Sequence, residues 1–530
     1  MSIDPVTMSV VGQSLSAIAE EMNRNLIRSA YSTIVREARD ASTALMTPSG
    51  SFVAQGERTI PILLNAFPPL MASFAAQGLI RDIEPGQALI TNDPYAGGQH
   101  LDDVVLVIPV FDGSGVLGWS ASLAHQLDLG AGSPGINPKA REVFEEGLRI
   151  PPTRIQLATD LGSDGWLTAM LRANIRMPDL TLGDLRAQIA AVRTGERRLL
   201  ELAERYGRDT VLNSMNALLV YAETMMRTGI AAVPDGRYEA EEWMDDDGYD
   251  SGPLRIAVTI EVSGDSADVD VTGTDAQTKG PVNAPLASTI STVHTALKYL
   301  LLPENVPPNE GCTRPITITA PEGCLLNPRY PAAVSARMNP VFKLFDAMLV
   351  ALAPALADRV IAPSFSAVSA VALSQRDAQG QRLYREALGG GYGAGEGYHG
   401  GDGLAVTLTN TANTPVEFTE STNPYFFVEE YALRRGSGGT GQFRGGMGIA
   451  KTYRVLGDDV LFAAYSDRHH SGPRGLSGGG AGERAVFQLE HGDQEVELPS
   501  KVIAPVARGD RIRVLTAGGG GYGPAPEEDQ

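Results

Sequence analysis

Only two cysteines, Cys312 and Cys324, occur in 530 residues. Two thiols cannot close a thiolate zinc site, and cysteine this sparse fits a reduced compartment. Basic charge is short as well. Lys and Arg number 43 against 63 Asp and Glu, the net charge is −20, and no run of five or more basic residues occurs. That balance argues against a nucleic-acid or anionic-membrane surface. The longest apolar runs, "VVLVIPVF" and "AMLVALAPALA", fall short of the ~20 residues a membrane span needs. The opening "MSIDPVTMSVVGQ" has no basic stretch leading into an apolar one, so no signal peptide is expected and the protein is expected in the cytoplasm. G-x-x-x-x-G-K-[ST] is missing, which removes a P-loop for ATP. Histidine is scarce too, with seven in the whole chain.

What is present reads as an α+β fold, with long helices and mixed sheets in several layers and a β- and glycine-rich C-terminal region. A chain of this length exceeds one ordinary core, and four regions are expected. Residues 1–165 form an N-terminal α/β region, 166–234 a helical one, 235–395 an α+β one, and 396–530 the glycine-rich one. Asp4 and Pro5 are a cap and first-turn pair for a helix over 4–30. Val11, Leu15, Ile18, Met22 and Leu26 then recur on one face. "ALMTPSGSFVAQ" predicts a strand pair, and 87–91, 103–111 and 115–125 predict three strands, the last two joined through "DGSG" as a hairpin. "TISTVHTALKYLLL" and "PVFKLFDAMLVALAPALADRV" predict helices. The glycine tracts alternate with strand-like runs and are expected to be tight turns rather than a disordered tail. "GSGGTG" (436–441) spells a dinucleotide fingerprint and "GLSGG" (475–479) a nucleophile elbow. Neither has the strand–turn–helix context that the chemistry requires.

The hairpin gives the histidines geometry. With "DGSG" at its turn, residues whose numbers sum to about 227 or 228 face each other, so His125 faces Asp102 or Asp103 and His100 falls near Asp128. Two imidazoles and at least one carboxylate then meet at one end, a set that suits zinc, manganese or iron. The acidic "REARDAS" offers Glu37 or Asp40 as a further ligand. His294 is expected in a core or interface, His399 in a turn or lining a site, His469 and His470 in an exposed loop, and His491 on the surface.

Long motifs run through the chain in order: "DPVTMSVVGQSLSAIAEEM", "REARDASTAL", "NDPYAGGQHLDDVVLVIPVF", "VFEEGLRIPP", "LPENVPPNEGCTRPITITAPEGCLLNPRYPAAV", "TNTANTPVEFTE", "GSGGTGQFRGGMGI" and "GGGGYG". Together they resemble the B-type (beta) subunit of the hydantoinase/5-oxoprolinase family, to which the acetone carboxylase alpha subunit is similar. The resemblance implies an A-type partner of actin-like fold that binds ATP with Mg²⁺ and phosphorylates a carbonyl oxygen, in a heterotetramer or larger assembly. It implies a divalent metal on this chain, held by His100, Asp103, His125 and Asp40, with Glu37 as substitute for Asp40; the same four residues would be catalytic. Asp128 or Asp40 would orient an imidazole where it does not bind metal. Two departures stand out. Asp102 replaces a usual proline, and "SARMNP" (335–340) replaces a stretch that often reads glycine-asparagine and then an acidic residue. The activity implied is ATP-dependent opening of a small cyclic amide, a hydantoin, 5-oxoproline or lactam. The alternatives are a ketone carboxylase subunit and a non-enzymatic scaffold for the partner.

Overall fold

The structure is a computed structural model and describes residues 3–526, apart from 57, 58, 64, 379, 407 and 410. Asp4 caps the first helix, Pro5–Ser29, by accepting from the backbone N–H of Val6 and Thr7 at 3.0 and 3.1 Å. The N-terminal sheet is built from β1 (Ala41–Met46), β2 (Phe52–Gln55), β3 (Gln87–Thr91), β4 (Asp103–Phe111), β5 (Val116–His125) and β6 (Thr153–Gln156). Its spatial order is β2-β1-β5-β4-β3-β6, and its pairings are antiparallel.

Strand alternation explains why β4 and β5 read as nearly continuous apolar runs. Val105, Val107, Trp119, Ala121 and Leu123 enter the largest core, while Leu117 and Ala124 enter one shared with the first helix and Val104, Leu106 and Ile108 one shared with Leu167, Leu171, Leu182 and Leu185 of later helices. A sheet covered on both faces has no solvent side to encode. The long helix Pro178–Tyr206 lies over the second face, where Gln188 Nε2 donates to Val104 O and Ser120 Oγ donates to Val192 O, both at 2.9 Å.

A second sheet, of order Ile316–Thr319, Ser266–Asp270, Leu254–Ser263 and Gly236–Met244, shares the largest core with helices Leu286–Leu301 and Met338–Leu352. The latter is shorter than its apolar run, because it ends two residues before Pro354, which cannot continue it. Two C-terminal sheets share a further core that includes Leu373, Tyr384, Tyr453, Phe462 and Phe487. No helix among the described residues is long and apolar enough to cross a membrane.

The glycine tracts are ordered, but turn geometry explains few of them. Gly391, Gly446 and Gly519 are not at positive φ. They lie where backbones cross: Gly519 N donates to Gly446 O, and Gly446 N to Tyr392 O, at 2.9 and 2.8 Å. The tracts form a lattice of hydrogen-bonded main chains in which glycine provides room rather than a turn.

Candidate metal centre

Three adjacent strand ends build the site. The β4–β5 register pairs Asp103 with His125. On the other side of β5, the backbone N–H of His125 donates to Asp40 O at 3.1 Å, extending the β1–β5 ladder, in which Ala41 pairs Ala124. His100 comes from the loop before β4, which Asn92 fixes through its side chain: Nδ2 donates to Leu101 O and Leu148 O, and Oδ1 accepts from Ile150 N. Asp93 caps the turn Pro94–Ala96, and a Cβ on Gly98 would lie only 2.6 Å from Asp93 O. That contact leaves no room for a side chain at Gly98.

The His100 and His125 rings lie with centroids 4.9 Å apart and planes tilted by 55°. Asp102 Oδ2 lies 3.8 Å from His100 Nδ1 and 3.6 Å from His125 Nε2, and Asp103 Oδ1 lies 3.3 Å from His100 Nε2. His100, Asp102 and His125 each place one ligand atom within 4.8 Å of the others, a metal-competent set among the described residues. Asp103 and Asp40 are not in that set of three, although Asp103 touches it. Both ring nitrogens of His100, Nδ1 of His125 and Oδ1 of Asp103 are buried without a hydrogen-bond partner. Buried polar atoms left unpaired in this way are costly. Imidazole and carboxylate atoms converging on one point are the donor set a divalent cation satisfies, so these residues fit such an ion.

Burial, reinforced by the Arg337 and Arg385 guanidinium groups, holds both imidazoles well below their ordinary value, in the neutral form that binds metal. Burial and the neighbouring Asp103 charge raise Asp40 to about 7. The two arginines were not foreseen. Arg385, on the strand Gly380–Ala387, donates from Nη1 to Asp102 Oδ2 at 2.8 Å, and Arg337, capping the helix Met338–Leu352, donates from Nη2 to Asp103 Oδ2 at 2.8 Å. The cluster closes the polar end of a cavity of about 60 Å³, lined also by Ile34, Ile62, Leu63, Met338, Phe365 and Leu388.

Several expected roles fall elsewhere. Asp128 is engaged by Arg176, accepting at 3.0 Å from Nη1 and at 3.2 Å from its backbone N–H. It is therefore not the partner of His100. Glu37 follows the short helix Thr33–Arg36 and pairs with Arg36 at 3.1 Å. His469 is buried rather than exposed. Its ring packs 4.7 Å from that of Phe487, and burial lowers it to about 4, whereas His470 is exposed. Burial likewise lowers His294 to about 4 within its helix. His399 accepts from the Arg444 backbone N–H at 2.9 Å, and His491 pairs with Asp510 at 2.7 Å.

Glu146 was also missed. It is 4 % exposed, Oε1 accepts from the backbone N–H of Val334 and Ser335 at 2.8 and 2.7 Å, and Oε2 has no partner. Burial pushes its carboxyl from 4.5 up to about 8. The folded chain thus holds a proton that the unfolded chain releases, so this stabilisation is full below 4.5 and is lost as pH rises to about 8. Glu146→Gln mimics the protonated acid. Between pH 5 and 8 the variant is expected to gain on the order of 4 kcal/mol relative to wild type, read from urea midpoints at both pH values. Parallel stability curves for the two proteins would refute this.

The family model described as Hydantoinase B/oxoprolinase matches residues 4–525. A protein of Pseudomonas sp. (strain NS671), named as the B-type subunit of a D-/L-hydantoinase, is 34% identical, over 98% of this chain and 90% of its own length. The 5-oxoprolinase PfmaA of Pestalotiopsis fici is 32% identical over 99% of this chain, which spans 42% of that protein. The crystal structure of the ATP-dependent caprolactamase from Pseudomonas jessenii superposes with a TM-score of 0.89 at 28% identity, covering 99% of this chain and 93% of that one.

Proposed function

Since the chain belongs to the hydantoinase B/oxoprolinase family, we propose that it is the metal-holding subunit of an ATP-dependent cyclic amidase. Its substrate is a hydantoin, 5-oxoproline or lactam ring that a partner chain has activated by phosphorylation. The observation that carries this reading is the pair of buried imidazoles with unpartnered nitrogens, set beside carboxylates at the polar end of an apolar-walled cavity.

On this reading His100, His125, Asp103 and Asp40 hold the cation, zinc, manganese or iron. Asp103 offers an Oδ1 without a partner 3.3 Å from His100 Nε2, and Asp102, whose Oδ2 reaches both imidazoles while accepting from Arg385, is the alternative ligand. When bound, the cation supplies Lewis acidity, making water a better nucleophile at neutral pH and polarising the carbonyl. The chain's own part is to keep both imidazoles neutral, to fix the carboxylates through Arg337 and Arg385, and to seat the ring against Ile62, Leu63 and Met338. ATP and Mg²⁺ belong to an A-type partner, in a heterotetramer or larger assembly. Two facts support a division of labour: this sequence lacks a P-loop, and the 5-oxoprolinase relative carries more than half its length outside the matched part.

Purified together with an A-type partner, the chain is expected to open caprolactam, hydantoin or 5-oxoproline only with both ATP and a divalent metal, read as the amino-acid product by mass spectrometry. Labelled bicarbonate entering a ketone, with no ring opened, would move the chain to ketone carboxylation. A complex that does neither with any metal would leave it as a scaffold.

A further inference from the structure

Neither arginine of the cavity is used up by its aspartate. Arg337 and Arg385 are 5 % and 6 % exposed, and both line the cavity beside His100 and His125. Arg385 donates from Nη1 to Asp102, while Arg337 donates from Nη2 to Asp103 and from Nε, at 3.4 Å, to Gln99 Oε1. A guanidinium carries five N–H donors in a rigid plane. Among the described residues, Nε and Nη2 of Arg385 and Nη1 of Arg337 have no hydrogen-bond partner.

Charge points the same way. Asp40, Asp102 and Asp103 bring three negative charges when ionised, and the guanidinium groups cancel two. A divalent cation then leaves one excess positive charge in a buried site, and a buried charge without a partner is costly. The complement is an anion with several oxygens, able to accept from two forks at once, and that geometry is the one guanidinium recognises best.

We propose that Arg337 and Arg385 form a phosphoryl-binding fork beside the metal-binding residues, taking either the phosphoryl group carried on an activated substrate or the phosphate released from it. The inference rests on the amidase reading above, since that reading brings a phosphoryl group into the cavity. It also specifies what the two arginines do there: they read the phosphoryl oxygens, while the apolar wall reads the ring.

The test is calorimetric titration of the full chain, without partner or ATP, with inorganic phosphate, methylphosphonate and bicarbonate, in manganese-loaded and metal-free forms. Phosphate is expected to bind the loaded form and to be weakened roughly tenfold or more in Arg337→Gln/Arg385→Gln, as donors to a charged acceptor are lost. The lysine pair, Arg337→Lys/Arg385→Lys, keeps the charge but not the fork; titrated in the form that metal analysis shows to be loaded, it is expected to be weakened as well. Methylphosphonate binding as well as phosphate assigns the fork to a phosphoryl group still attached to substrate. Phosphate binding alone assigns it to the released product. Unchanged affinity in either variant, bicarbonate binding as tightly as phosphate, or no phosphate binding to the loaded chain would each overturn the proposal. A chain that takes up no manganese, zinc or iron would instead overturn the metal reading, which metal analysis records separately from the phosphate titration.

Discussion

Replacing His100 and His125 together by alanine is expected to strip the chain of metal and to lower ring-opening turnover of the assembled enzyme by well over roughly 100-fold. Loss of a group that merely orients a ligand already costs ~10–100-fold. Here two ligands go, and the carboxylates that remain are partly taken up by arginine. The loss should be specific to the metal-bound state. In the metal-free wild type both imidazoles are buried with unpaired nitrogens, so their removal deletes a penalty together with the packing, and the metal-free melting points of variant and wild type should lie close. Added metal separates them: at about 1,000 times the dissociation constant, a ligand bound only by the folded state adds ~4 kcal/mol to wild type and nothing to the variant. Metal analysis, melting with and without metal, and turnover together check this. Undiminished turnover in a variant shown to be metal-free would remove the catalytic centre from this chain.

How much of that site was legible follows from how locally each residue is specified. That His125 faces Asp102 or Asp103 could be read because a four-residue turn fixes the register of a hairpin to within one residue, and the register, at a sum of 228, selects Asp103. Asp40 beside His125 needed the pairing of β1 with β5, which no spacing reveals, and chain alternation alone left Glu37 as a rival. Arg337 and Arg385 were out of reach. They join Asp103 and Asp102 across 234 and 283 residues, one from the start of a helix and one from a strand of a C-terminal sheet. Arg337 does fall in "SARMNP", a segment that departs from the family pattern, but nothing local shows that it turns toward Asp103. His469 misled for the opposite reason. "SDRHHSGPRG" has the composition of a loop, and it is one, yet its residues through His469 are buried, the His469 ring against Phe487 and its backbone N–H donating to Asp245. The α+β character and the hairpin were set by local pattern; the convergence of sheets on the cavity was set by tertiary packing.

The glycine lattice carries the second large effect. Gly519→Ala is expected to prevent the chain from reaching a stable fold, although Gly519 is not at positive φ and alanine meets no left-handed strain there. The obstacle is space. A Cβ on Gly519 would lie well under 3.0 Å from the carbonyl oxygen of Tyr392, and its other near neighbours are backbone too, Tyr392 C and Gly393 N. No side chain can swing aside, so relief means moving a main chain that is itself hydrogen-bonded: Gly391 N donates to Ala517 O, and Gly446 N to Tyr392 O. Ordinary overpacking costs ~1–3 kcal/mol because side chains shift; a clash between main chains should exceed ~4 kcal/mol, a range reached by few substitutions. Gly236→Ala is the control, since its Cβ would meet nothing nearer than 3.9 Å, and it should melt within a few degrees of wild type. The strain also has a route to the cavity, because Phe365 N donates to Gly391 O and Phe365 lines the same cavity as His100 and His125. If Gly519→Ala is soluble and melts with Gly236→Ala, the lattice has slack and the glycines are not there for room. If it is soluble but destabilised, its loss of metal-dependent turnover should exceed that of Gly236→Ala, since a displaced Phe365 reshapes the wall of the cavity beside His100 and His125.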